Sequence, residues 1–338
     1  MTDFYWSVMV GFWREGIALR PLWKDILAAV WLGIIIPGIV LHGFMIVRRP
    51  VIASQRDNHA AVEPVQQKQI LMKRRDGLLL TVDADQYLTG VLLAEMPASF
   101  EEEALKAQAV AARTYVYKAE VTGGKHGDGS VCTESVCCQA YLDEETYLAK
   151  GGTLEGLEKV RHAVAAVSPY VLTYCGELIE AVYFSSSGGV TESALAVWGT
   201  DFPYLQSVMS PGEEDSAFHK DTVRISEDRF RMLLGRELPD ACNTWFGKVT
   251  YTEGKGVEQI EICGENYSGT ELRALLNLPS TFFAFHTTED GLIIIETRGY
   301  GHRVGLSQYG ANAMALEGNS YRQILEHYYP GTELTAME

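Results

Sequence analysis

The stretch LLAEMPASFEEEALKAQAVAARTYV, Leu92 to Val116, constrains the chain most, because a proline divides two helical patterns inside it. Residues Gln86 to Glu95 read as a short apolar helix capped by Asp85, and Pro97 ends it because proline has no amide to continue the hydrogen-bond ladder. Glu95 therefore falls at a helix end. A second helix is predicted just beyond, since Ser99 and Glu102 have the S-x-x-E spacing of a capping box. Along it Ala104, Ala107, Ala111 and Tyr115 recur three or four apart, a small-residue face against which another backbone can lie closely. Lys106 and Arg113 occupy the body of this helix. Each either reaches a cleft or serves the structure, Lys106 beside Glu102 and Glu103 and Arg113 by snorkelling to the surface. Glu95 is flanked by Leu92, Leu93, Ala94, Met96 and Pro97. A carboxyl partly buried among them keeps its proton, as a general acid must; the plain alternative is a solvated helix end.

Upstream, Ile26 to Val47 is an apolar run without a charge, bracketed by Lys24 and by Arg48 and Arg49. It is long enough to cross a bilayer core and reads as a transmembrane anchor, residues 26–47. A cleaved signal peptide would have a shorter apolar region and a small-residue cleavage site. Basic residues lie on both sides, so they do not set the orientation. Residues 1–25 form a short segment with an aromatic-rich start, Phe4 to Trp13, and residues 48–68 read as a polar tether. The rest, 69–338, is the folded domain, with a possible sub-lobe at 205–290. Strands are expected at Leu78 to Val82, in a hairpin of Tyr170 to Tyr174 with Leu178 to Phe184, and in pairs at Lys248 to Thr252 with Val257 to Cys263 and Thr281 to Thr287 with Leu292 to Arg298. Ser226, Ser268 and Ser320 head helices. Antiparallel pairs with scattered helices make the fold class α+β. A net charge of -16 excludes a nucleic-acid backbone as partner, since that needs a basic face.

Several chemistries are excluded by spacing: there is no P-loop, no H-E-x-x-H, and no dinucleotide fingerprint. The serines of FSSSGG are either nucleophiles or a polar turn. His126, Cys132, Cys137 and Cys138 cluster in the loop HGDGSVCTESVCC and offer one imidazole and three thiolates to a tetrahedral zinc. The alternative is a disulfide of Cys132 with either neighbour. Cys175 and Cys263 read as strand residues and Cys242 as isolated, all three buried or inert. The glycine-rich run GYGHRVGLSQYG reads as a loop that approaches something closely and enters a helix at Ala311.

The run AEMPASFEEEALKAQAVAARTYV resembles a signature of the stage II sporulation protein D family. GYGHRVGLSQYGANAMALEGNSYRQILEHYYPGTEL resembles that family's second signature, and YFSSSGGVTES with WGTDFPYL its middle, in the family's order from about Gln69 to Leu334. The resemblance implies a peptidoglycan lytic transglycosylase built as two lobes of antiparallel strands and helices around a glycan-binding cleft. Relatives that act as amidase enhancers, binding glycan without cutting it, are the alternative. It implies that Glu95 is the single general acid and base. Arg113 and Lys106 would orient Glu95 or the muramyl carboxylate. Ser187, Tyr204, His302, Ser307, Gln308 and Tyr309 would line the cleft, with Trp198 and Tyr204 as sugar platforms. Arg303 stands where the family run usually has glycine, a departure that would add a sugar contact or alter access. A structural zinc on His126, Cys132, Cys137 and Cys138 is implied by the sporulation branch, although a histidine usually stands where this chain has Cys137. A zinc hydrolase using the same cluster would need an open metal position. The implied partners are peptidoglycan glycan strands, a sporulation amidase or endopeptidase, and a membrane partner of the engulfment complex. The implied place is the cell membrane, single-pass, with residues 1–25 cytosolic and the catalytic domain between the mother-cell and forespore membranes.

Overall fold

The structure is a computed structural model that describes residues 68–240 and 244–337. The expectations for the anchor, the segment before it, the tether up to residue 67 and Cys242 lie outside the described residues. No helix among the described residues is long and apolar enough to cross a membrane.

Mixed helices and mostly antiparallel sheets make an α+β fold with two hydrophobic cores. In the first, helix α1 (Ala84–Glu95) leads through the Pro97 turn to the long α2 (Glu102–Thr122). Ala104, Ala107 and Ala111 are fully buried. Their small side chains let α2 pack against α1, α4 (Leu154–Ala166), α8 (Gln308–Leu316), α9 (Tyr321–Tyr328) and the strand Tyr170–Tyr174. The short α3 (Glu144–Ala149) touches α1, and α5 (Ala194–Trp198) ends at the exposed Trp198. Gln69–Lys73 pairs antiparallel with Leu79–Asp83 and parallel with Val131–Cys132. Tyr170–Tyr174 lies antiparallel between Glu177–Leu178 and Glu333–Ala336. Tyr183–Phe184 leaves the predicted hairpin and pairs instead, parallel, with Leu306–Ser307.

The second core runs from Val223 to Ile295. Asp221–Ser226, Phe282–Thr287 and Leu292–Arg298 form one antiparallel sheet, and Phe246–Tyr251, Val257–Ile262 and Glu265–Ser268 another. Helices α6 (Glu227–Leu234) and α7 (Gly269–Leu276) pack on them. The hairpins and the caps at Ser226, Ser268 and Ser320 form as the local patterns predict, and Ser320 with Gln323 makes a full capping box.

Two caps differ. Asp83, not Asp85, caps α1 by accepting from the Gln86 amide at 3.0 Å, because Asp85 is taken by the Arg113 guanidinium at 2.9 Å. Ser99 makes no capping box: Pro97 to Phe100 closes a turn, α2 starts at Glu102, and the Glu102 carboxylate is drawn to Lys106 at 2.8 Å and His162 at 3.2 Å. Cys175 and Cys263 sit at turns with positive φ, 51° and 49°, rather than in strands, and Cys175 is exposed. Gly90 of α1 is required by a close approach: a Cβ there would lie 2.3 Å from the Tyr141 ring, which stacks on Tyr87 at 5.6 Å.

Candidate functional site

Helix α1 ends at Glu95 because Met96 turns extended, its amide closing the last turn on the Leu92 carbonyl. The Glu95 carboxyl is thereby turned away from the helix, where its Oε1 accepts from the Ala140 amide at 2.9 Å and its Oε2 from Gln308 Nε2 at 3.4 Å. Burial raises its pKa, and these two hydrogen bonds, which lower it, offset only part of that. Tyr183 lies in the same electrostatic neighbourhood: burial first, and then Glu95, push its phenol well up, so it stays protonated. Its hydroxyl accepts from Gln139 Nε2 at 3.0 Å, and Tyr87 donates to the other end of that amide at 3.3 Å. The arrangement can hold a proton on Glu95, release it to a bound leaving group, and take one back.

Gln308 reaches Glu95 because two loops are pinned together behind it. Glu213, almost wholly buried, accepts from Ser186 Oγ, the Ser187 amide and Oγ, the Gly188 amide, Ser210 Oγ and Ser307 Oγ. Ser307 in turn caps α8, whose first residue is Gln308, and the Tyr309 amide donates to the Ser185 carbonyl at 3.0 Å.

The loop carrying Ala140 begins with a cluster of donors. Cys138 Sγ stands 3.6 Å from His126 Nε2, Cys137 Sγ 3.8 Å from the same nitrogen, and the two sulfurs are 3.9 Å apart. With Cys132 Sγ included, all four donor atoms lie within 4.8 Å of one another. Zn–S bonds of about 2.3 Å and Zn–N bonds of about 2.0 Å in a tetrahedron separate neighbouring donors by roughly 3.5–3.8 Å, so this set can hold a metal ion. Adjacent cysteines face one point because both their amides bond the Glu134 carbonyl at 2.9 Å, and Cys132 is anchored by the strand pairing with Lys73. The cysteines here are free, so the disulfide expectation is not met.

Residues 75–174, which include both Glu95 and the donor loop, match the family described as Stage II sporulation protein. The chain is 38% identical over 259 residues to the Stage II sporulation protein D of Bacillus subtilis (strain 168), covering 75% of each. This chain belongs to the stage II sporulation protein D family. The protein of the same name from Bacillus amyloliquefaciens is 37% identical over 75% of this chain and 74% of its own. An Amidase enhancer of Bacillus subtilis (strain 168) is 30% identical over 74% of this chain and 40% of its own length.

In this stage II sporulation protein D family member, the residues expected around the cleft divide. Glu95, Gln308 and Ala140 come together, and Tyr309 sits beside them on α8 with its ring against Phe100 at 5.0 Å. His302 lies against Trp198 at 5.2 Å and Phe184 at 5.7 Å; burial, and then Arg273, lower its pKa to about 4, so it is neutral. Ser187 and Ser307 are fully buried on Glu213 and do not face a ligand, and Ser186 of FSSSGG is held on the same carboxylate, which removes Ser186 and Ser187 as nucleophiles. Tyr204 is buried between Tyr174 and Phe202 and accepts from the Glu180 amide, so it is no sugar platform. Arg113 is fully buried and neither snorkels nor orients Glu95: it donates to Asp85 and to the Val164, Val167 and Tyr170 carbonyls, capping the end of α4. Lys106 is spent on Glu102 and Glu103. Arg303 is fully buried and adds no sugar contact; it donates to the Ser187, Val190 and Gly254 carbonyls and to Glu192. Sequence reasoning missed Tyr183, Gln139 and Glu213. Tyr183 precedes FSSSGG directly, whereas Glu213 in MSPGEED looks like one more acidic surface turn.

Proposed function

We propose that this chain is a membrane-anchored lytic transglycosylase acting on peptide-stripped glycan strands of peptidoglycan during forespore engulfment. The observation that carries it is Glu95, a carboxyl with raised proton affinity held between the Ala140 amide and Gln308. Protonated, Glu95 gives its proton to the glycosidic oxygen between N-acetylmuramic acid and N-acetylglucosamine as the C1–O bond breaks. As carboxylate it then takes the proton of the muramyl C6 hydroxyl while that oxygen bonds to C1. The product is a 1,6-anhydro end, no water is consumed, and one carboxyl suffices where hydrolysis would call for two. The Ala140 amide and Gln308 steady the carboxylate between the two transfers.

His126, Cys132, Cys137 and Cys138 would hold zinc. Bound there, the ion would have four protein ligands and supply rigidity rather than a nucleophile, fastening the loop that presents Ala140. That argues against the zinc-hydrolase reading. Residues 26–47 would anchor the chain with residues 1–25 in the cytosol, and an amidase that strips the peptides and a membrane partner of the engulfment complex would work alongside it. The second reading, a glycan-binding enhancer of an amidase without lytic activity, is favoured by the likeness to the Amidase enhancer.

The test is mass spectrometry of intact and amidase-stripped peptidoglycan after digestion by the full chain and by Glu95→Gln. Anhydromuramyl ends from the parent and none from Glu95→Gln support the proposal. Reducing ends would indicate hydrolysis, and strand binding without cleavage by either protein would favour the enhancer.

A further inference from the structure

Helix α7 of the second core ends against the glycine-rich run. The Leu278 amide donates to the Arg273 carbonyl at 2.9 Å, and the Gly301 amide donates to the Pro279 carbonyl at 3.0 Å, directly before His302. Arg273 lies half-buried at this junction, its Nε on the Leu278 carbonyl at 3.3 Å. No carboxylate among the described residues lies within ion-pair distance of it. Among the described residues the other arginines without a carboxylate partner, Arg224, Arg229, Arg298 and Arg322, are exposed, whereas the buried or half-buried Arg113, Arg231, Arg236 and Arg303 all have one. The surroundings leave its charge uncompensated: His302 is neutral and the nearby polar ring is Tyr300. They are also suited to a sugar. Trp198, 45% exposed and 5.2 Å from the His302 ring, and Tyr300, 38% exposed, offer ring surface. Phe184, against the His302 ring at 5.7 Å, lies on the strand paired with Leu306–Ser307, and the next residue, Gln308, reaches Glu95, so the junction is continuous with the candidate active site.

We propose that Arg273 binds the lactyl carboxylate of an N-acetylmuramic acid residue and thereby makes the cleft selective for strands whose peptides have been removed. Among the described residues neither terminal nitrogen of Arg273 has a protein acceptor, and a guanidinium so presented matches the fork of a carboxylate. In an intact strand that lactyl carboxyl is tied up as an uncharged amide to the stem peptide. Hydrolysis of the amide frees a carboxylate, which is the one ionised group of the stripped disaccharide. Arg273 thus reads the product of the class of reaction that must precede cleavage. The assignment rests on the glycan reading of Glu95.

The test is titration of the full-length Glu95→Gln chain, which binds without cutting, with three matched strands: amidase-stripped glycan, the same glycan with its lactyl carboxyls converted to methyl amides, and N-acetylglucosamine oligomers. The stripped strand should bind about tenfold or more tightly than the other two, the range of a charge-assisted pair. Adding Arg273→Gln should level the three affinities, and Arg273→Lys should restore part of the preference. Equal affinity for stripped and amidated strands in the parent, or a preference that survives Arg273→Gln, overturns the proposal while the glycan reading stands. Binding to none of the strands removes both.

Discussion

Glu95 and Glu213 are two carboxylates with opposite surroundings. Glu213 is met by hydroxyls and amides from residues 186–188, 210 and 307, so its burial is compensated and it serves as a tie for the loops behind the site. Glu95 has two donors and is under-compensated, so its folded pKa lies above its unfolded value. Between those values the native state binds the extra proton, and ionising Glu95 costs stability as pH rises through the folded pKa. Glu95→Gln removes that cost. Thermal unfolding should find the variant more stable than the parent at pH 7, with the gain gone by about pH 4, where the ordinary carboxyl is itself protonated. A variant less stable at pH 7 would mean that the Ala140 and Gln308 hydrogen bonds outweigh desolvation. The residue was legible in the sequence because its neighbours on the chain are apolar; Glu213 was not, because its partners come from elsewhere on the chain.

At the scale of elements, the donor loop is the piece most dependent on something outside the polypeptide. Residues 123–140 contain only a one-turn helix at Gly124–His126 and the two-residue strand Val131–Cys132, too little buried apolar surface to fix their path. Four convergent donors with a metal would fix it, and would carry the Ala140 amide to Glu95 two residues beyond Cys138. The full chain should therefore contain about one zinc, and a strong chelator or Cys138→Ser should lower its midpoint of thermal unfolding by several degrees, with zinc restoring the chelated protein. Metal analysis with calorimetry checks this; a metal-free chain indifferent to chelator would sink it. The four donors were legible from the spacing, while their convergence on one point was decided by the bend at Glu134.

Across the whole molecule, Arg303 ties the two cores. Its guanidinium joins Ser187 and Val190 of the first to Gly254 in the hairpin of the second, pairs with Glu192 at 3.2 Å, and lies over Phe282 at 5.0 Å. Glu192 reaches the same hairpin through Thr252 and the Gly256 amide. Arg303 has φ 65°, so Arg303→Gly would relieve about 1 kcal/mol of left-handed strain, but stripping a buried carboxylate of its cation costs about 3–5 kcal/mol. Urea unfolding should show a net loss of about 2 kcal/mol or more, partly recovered by adding Glu192→Gln; no loss would mean that the pair is dispensable. By itself the sequence determined what near neighbours decide: the break at Pro97, the caps at Ser226, Ser268 and Ser320, the hairpins of the second core, the α+β class and the ligand-rich loop. Those depend on caps, turns and periodicities within a few residues. Only the tertiary structure decided which charges are buried and with whom. Gln308 meets Glu95 across 213 residues and Arg303 meets Glu192 across 111. Arg113, Ser187, Tyr204, Ser307 and Arg303 are drawn from the expected cleft into the interior because a buried polar group must take whatever partners packing brings to it.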